Sequence, residues 1–241
     1  GIDGGDGGDD ICGGSGADMI KGAPGLNTIS GGTAGDTIEG GDDADTITGD
    51  KGDDDIFGFG GDDDIDGGEG DDTLRGHGGD DDVSGDEGND LVEGGDDDDT
   101  LSGGDDDDTV KGQTGSDVVS GGSGDDTLRG GSGEDTLSGD EGDDLLNGGS
   151  DDDAIDGGTG VDTATFEGGS DHTVDLVAGT ATGSGSDTLT GVENVTTAGG
   201  NDTITGDDKA NRLEGGNGND TLSGGAGFDT LIGGSGDDEL D

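Results

Sequence analysis

An aspartate recurs every nine residues along most of this chain, and that spacing is its first chemical fact. The series runs Asp9, Asp18, Asp36, Asp45, Asp54, Asp63, Asp72, Asp81, Asp90, Asp99, Asp108, Asp117, Asp126, Asp135, Asp144, Asp153 and Asp162, with Asn27 in the one remaining place. It continues with an isolated Asp187 and then Asp202, Asn211, Asp220, Asp229 and Asp238. If the chain coils with a matching period, these carboxylates stack into columns, and like charges held close in partly buried positions repel unless a cation separates them. Carboxylates and turn carbonyls together make an all-oxygen donor set. That set suits the hard, geometrically tolerant Ca²⁺, whereas Mg²⁺ prefers a tighter octahedron and retains its waters. Zinc lacks its usual ligands in a chain with one Cys and two His. The aspartates are therefore the candidate metal ligands, and Asn27 and Asn211 are left out of the set. With sites between turns two units apart, the chain offers about 19 of them.

The element that must position each aspartate is a nine-residue unit, Gly-Gly-x-Gly-x-Asp-x-U-x, in which U is aliphatic. It repeats eighteen times from Gly4 to Thr165, and Gly121-Gly-Ser-Gly-Asp-Asp126-Thr-Leu128-Arg129 shows every part of it. Glycine fills position one in all eighteen copies, which suggests a backbone angle that other residues reach only at a cost. Position four is looser, with Ala34, Asp43, Asp97, Asp106 and Asp151 in place of Gly. The first six residues are predicted to turn, and x-U-x to form a brief strand with U pointing inward. Stacked units would then bury Ile11, Ile20, Ile29 and their successors in a narrow seam, each coil touching mainly its neighbours.

A second period lies inside the first. At position nine, small residues such as Ser102, Ser120 and Ser138 alternate with long ones such as Lys111, Arg129 and Asn147. This eighteen-residue repeat predicts two nonapeptides per coil, odd units in one sheet and even units in the other.

The register divides the chain into residues 1–165, a long array; 166–196, an interruption; and 197–241, a short second array. Strand-like stretches are predicted at 173–177 and 187–195. The interruption reads either as a linker or as strands packed on the roll, and its apolar Phe166, Val174, Leu176, Leu189, Val192 and Val195 favour packing. No capping unit is evident at either end, which predicts a segment of a longer protein.

Composition excludes several functions. The chain has 22% hydrophobic residues, 65 Gly and a formal charge of −58, which would place it among disordered chains were it not periodic. Nucleic acid is excluded as a partner by that charge. No apolar run approaches the roughly 18 residues of a membrane span, so insertion into a bilayer is not expected. No HExxH, GxSxG or phosphate-loop motif occurs, His77 and His172 read as solvated turn residues, and the chain is not expected to be an enzyme. Threonines and serines flank several odd U positions, as in Thr46-Ile47-Thr48, so a sheet face contacting polysaccharide or ice is the rival to a purely structural role. The even column of Lys21, Glu39, Arg75, Glu93, Lys111 and Arg129 reads as a solvated charge ladder or a docking face for a protein partner.

These motifs resemble the RTX, or haemolysin-type, calcium-binding repeat family. Asp162-Thr-Ala164-Thr-Phe166, Val174-Asp-Leu176, Gly191-Val-Glu193-Asn194-Val195 and Asn211-Arg212-Leu213 are similar to the C-terminal repeat domains of serralysin-type proteases and other secreted RTX proteins. The resemblance implies an all-β, right-handed parallel β-roll, calcium held by the position-six aspartates and turn carbonyls of adjacent coils, and export through type I secretion machinery. It also leaves open that the residues are the folding and secretion domain of an extracellular enzyme. A chain unfolded at low cytosolic calcium and folded by millimolar calcium outside the cell fits that route. The single Cys12 fits a scaffold without disulfides.

Overall fold

A computed structural model describes residues 1–241 as 28 strands with no helix. The chain alternates between two sheets, one of 13 and one of 15 strands. Outside residues 166–196 each strand pairs in parallel with the one a coil away, so Val83 faces Leu101, Leu101 faces Val119 and Val119 faces Leu137. All these pairs are eighteen residues apart, as the alternation at position nine predicts. Odd units supply the fifteen-stranded sheet and even units the thirteen-stranded one. The fold is a parallel β-roll.

Most strands are longer than x-U-x. Thr46–Lys51 and Thr136–Glu141 each span six residues, taking in the first three positions of the next unit. The expected six-residue turn is thus reduced to positions four to six, because position two also joins the ladder, as in Asp86 opposite Gly104.

The aliphatic series forms the core. One cluster of 27 buried apolar residues runs through the roll, and Ile20, Ile38, Leu74, Val92 and Leu146 have no exposure at all. Alternation along the strand sets the opposite face outward, so Leu145 is 41% exposed beside a fully buried Leu146.

Both sheets run unbroken through residues 166–196. In the thirteen-stranded sheet Asp162–Phe166 pairs directly with Val192–Thr197, which pairs with Arg212–Asn217. In the fifteen-stranded sheet three strands, Thr173–Asp175, Thr180–Thr182 and Ser186–Thr190, form an antiparallel meander between Ala154–Asp156 and Thr203–Thr205. The stretch expected at 187–195 is two strands, divided at Gly191 (φ 65°), which sends Leu189 to one sheet and Val195 to the other. The stretch expected at 173–177 stops at Asp175. There the Asp175 carboxylate accepts the N–H groups of Val177 at 3.0 Å and Ala178 at 2.9 Å and turns the chain.

The adjacent leucines give a direct test of this packing. Leu146→Ala is expected to destabilise the calcium-loaded protein by about 2–5 kcal/mol, whereas Leu145→Ala changes stability by about 0.5 kcal/mol or less. Paired thermal melts at one calcium concentration measure the difference, and equal shifts would contradict the assigned inward face.

Candidate metal centre

The position-six side chains stand in two columns, one at the entry to each sheet. In the first, the N–H of Asp18 donates to Asp36 Oδ1 at 2.7 Å and that of Asp36 to Asp54 Oδ1 at 2.6 Å. The pattern continues through Asp72, Asp90, Asp108, Asp126, Asp144 and Asp162 at 2.7–2.9 Å. The second column passes from Asp9 through Asn27 to Asp45, then Asp63, Asp81, Asp99, Asp117, Asp135, Asp153 and Asp187. Asp202, Asp220 and Asp238 continue it beyond the meander, and Asn211 donates to Asp229 in the first column. All the aspartates read from the sequence thus occupy one structural position. Those inside the roll are buried, while Asp9, Asp18, Asp229 and Asp238 near its ends are half-exposed.

One carboxylate oxygen of each pair is used by this ladder; the other is not. In seventeen of the aspartates, Asp63 and Asp108 among them, Oδ2 is buried with no hydrogen-bond partner. Burial pushes the carboxyls of Asp54, Asp63, Asp99, Asp108, Asp144 and Asp153 up to about 7 from an ordinary 3.8. Asp81, Asp90, Asp126 and Asp135 rise to about 6 for the same reason. The donated N–H opposes the rise, and the charges of nearby aspartates add to it.

The unpartnered oxygens explain the glycine at position one. A β-carbon on Gly76 would lie 2.1 Å from Asp81 Oδ2. Gly76 is not in the left-handed region; that conformation falls at positions two and four, where Ala23, Asp50, His77, Ala34, Asp97 and others adopt it. Space, not backbone angle, therefore excludes other residues from position one. Over Gly103, Asp108 Oδ2 and the carbonyl oxygen of Gly121, one coil further on, come within 2.3 and 2.7 Å of a single point. The same holds over Gly31 for Asp36 Oδ2 and the Gly49 carbonyl, at 2.7 and 2.8 Å. A buried carboxylate oxygen without a donor, set beside a main-chain carbonyl, fits a hard cation. No three His, Cys, Asp or Glu side chains converge anywhere, so a cation held here takes most of its ligands from main-chain carbonyls.

Two members of the columns escape the nine-residue count. His172 donates its N–H to Asp202 Oδ1 at 2.7 Å, as an aspartate would. It is 1% exposed, with its ring against Phe166, which overturns its reading as a solvated residue. Glu193 accepts from the Asp162 N–H at 3.2 Å and from Lys209 Nζ at 2.5 Å. Each stands two residues before an inward aliphatic, Val174 or Val195, and counting back from those would have found both. His77 is exposed, as expected, but lies on strand Thr73–Gly78.

The chain matches the RTX calcium-binding nonapeptide repeat over residues 2–20, 21–56, 57–92, 93–128, 129–164, 196–231 and 214–241. It belongs to that family. Repeats of this family bind calcium ions, and the interval between the matches coincides with the meander that interrupts the columns. No curated protein matches the chain.

Two expectations follow for this RTX roll. Gly76→Ala drives a methyl group onto the Asp81 carboxylate and is expected to destabilise by about 1–3 kcal/mol, while the neighbouring His77→Gly relieves a left-handed φ and leaves stability equal or higher; calcium-saturated melts compare them. Without a cation, the raised carboxyls stabilise the fold below their ordinary pKa of 3.8, and that contribution is lost as pH rises through 6 to 7. The chelated protein is therefore expected to show more β-structure near pH 5 than near pH 8 by circular dichroism, with calcium reversing the order because protons compete for the same oxygens. Chelated spectra independent of pH would contradict the buried columns.

Proposed function

We infer that this chain is a non-catalytic structural module that calcium folds after export from the cell that makes it. The observation that carries the reading is the two rows of buried, unpartnered Oδ2 atoms, one in most nine-residue units. A chain of −58 charge closing on so thin an apolar seam has little to hold it until cations occupy the columns. The proposed ligands are the position-six aspartates, from Asp9 to Asp162 and from Asp187 to Asp238, with turn carbonyls completing about 19 sites. Low cytosolic calcium keeps such a chain extended and able to pass type I secretion machinery; millimolar calcium outside folds it. No helix is long and apolar enough to cross a membrane.

A surface-binding role for the Thr/Ser ladder has less support. In register along the fifteen-stranded sheet, Thr46 is followed by Asp64, Asp82, Thr100, Val118, Thr136 and Ala154. Acidic and apolar side chains interrupt the repeat that a flat threonine surface requires.

Calcium titration of the chelated chain at neutral pH, followed by circular dichroism and by counting bound ions, tests the reading. A cooperative coil-to-sheet transition with about 19 ions bound is expected, and magnesium at equal concentration does not replace calcium. A sheet spectrum already complete in chelator, or ion binding without any change in structure, would overturn it.

A further inference from the structure

The outer face of the thirteen-stranded sheet carries a row of charged side chains, Lys21, Glu39, Arg75, Glu93, Lys111 and Arg129, in which Phe57 takes one place. Phe57 and Phe59 on strand Asp55–Gly60 stand opposite Arg75 and His77 on strand Thr73–Gly78. The Phe59 and His77 rings stack with centroids 5.3 Å apart and planes 6° from parallel. Phe57 lies 5.9 Å from Phe59, and the Arg75 guanidinium is 5.3 Å from the Phe57 ring. Two of the four phenylalanines in the chain are thus placed together on an exposed face, with Phe59 43% exposed.

The backbone here is strained. Phe59 and His77 adopt φ of 79° and 81° at position two, where most units carry glycine. Bulky residues occupy this region only at a free-energy cost, and such strain collects at binding sites.

The rings stand as a wall between two hollows, because position two is glycine on either side. The first hollow, about 310 Å³, is floored by Gly40 and Gly41, walled by Phe59, and edged by Asp42 and the Lys21–Glu39 ion pair. The second, about 320 Å³, is floored by Gly94 and Gly95 between His77 and Gln113, with Arg75 and Glu93 at its edge. Each hollow therefore sets one flat aromatic face beside carboxylate, amide or cationic hydrogen-bonding groups. That combination complements a sugar ring, whose C–H face stacks on the aromatic plane while its hydroxyls take the hydrogen bonds. The cations are already paired, Lys21 with Glu39 and both Arg75 and Lys111 with Glu93. Together with the charge of −58, this disfavours anionic sugars. The glycine floors are three strands apart, roughly 14 Å, so a ligand engaging both is an oligomer.

We propose that the Phe59–His77 wall and its two hollows bind a neutral polysaccharide lying along the axis of the roll. The calcium-loaded chain is tested by affinity electrophoresis through gels containing dextran, a soluble β-glucan or a galactan, with alginate as an acidic comparison. Phe59→Gly and His77→Gly both restore the residue of the repeat, so their sheet spectra and melting temperatures in calcium are expected to match or exceed the parent. Retardation by at least one neutral polysaccharide is expected, weakened at least tenfold in each variant and unchanged in Leu145→Ala. The proposal is overturned if no neutral polysaccharide retards the parent, if alginate alone does, or if the variants bind as the parent does. Sedimentation showing parent dimers and variant monomers, without glycan binding, would assign the face to self-association and overturn it equally.

Discussion

The structure turns on carboxylates that cannot reach water. Stacked at the strand spacing of about 4.8 Å, two charged neighbours repel by roughly 3 kcal/mol at an effective dielectric constant of about 20. One oxygen of each accepts a main-chain N–H, but the other is buried without a donor in coil after coil. A globular protein offsets a few such groups with a large core. A roll has no such reserve, because each coil contributes only a pair of inward aliphatics and contacts only its neighbours. The acidic columns thus leave each coil with buried negative charge that its thin apolar seam does little to offset.

The coils are held in register from two directions. At position six, each N–H donates forward to the carboxylate one coil ahead, as Asp90 does to Asp108. At position five, the exposed residues donate backward, so the Asp80 N–H reaches Asp62 Oδ1 and the Asp98 N–H reaches Asp80 Oδ1. Slipping one coil against the next would break both ladders and move an aliphatic out of the seam. The glycine at position one is the remaining condition, since any side chain there would occupy the point where carboxylate and carbonyl oxygens converge.

What the sequence made legible was whatever repeats at fixed distance along the chain. Leu101 and Asp99 could be placed inside and in a column without a structure, because period and alternation alone require it. The reason for glycine at position one was not legible: crowding by Asp81 Oδ2 is a contact across a turn, and a left-handed angle gives the same residue preference. His172 and Glu193 were missed because an inserted meander shifts the count while leaving the pairing intact. Their positions follow from Val174 and Val195, which are defined by burial, not by distance from the previous repeat. The aromatic wall was equally invisible, since Phe57, Phe59 and His77 become one surface only when strands eighteen residues apart are laid side by side.

The interruption shows how far the roll tolerates a break in its own rule. Between Ala154–Asp156 and Thr203–Thr205 one sheet has three strands where an ordinary coil would place one, while the opposite sheet passes directly from Asp162–Phe166 to Val192–Thr197. Two extra strands lengthen one face by about 10 Å; the second column stops at Asp187 and resumes at His172, while the first runs on from Asp162 to Glu193. This is also where the seam changes composition. Phe166 is 5% exposed and His172 1%, their ring centroids 5.6 Å apart, in a core otherwise built from aliphatics. These rings pack into the joint, and His172 stands where the repeat has an aspartate, its N–H donating to Asp202 Oδ1. The two arrays therefore share one continuous pair of sheets across a joint packed around Phe166 and His172, while on either side of it the coils bury stacked aspartates.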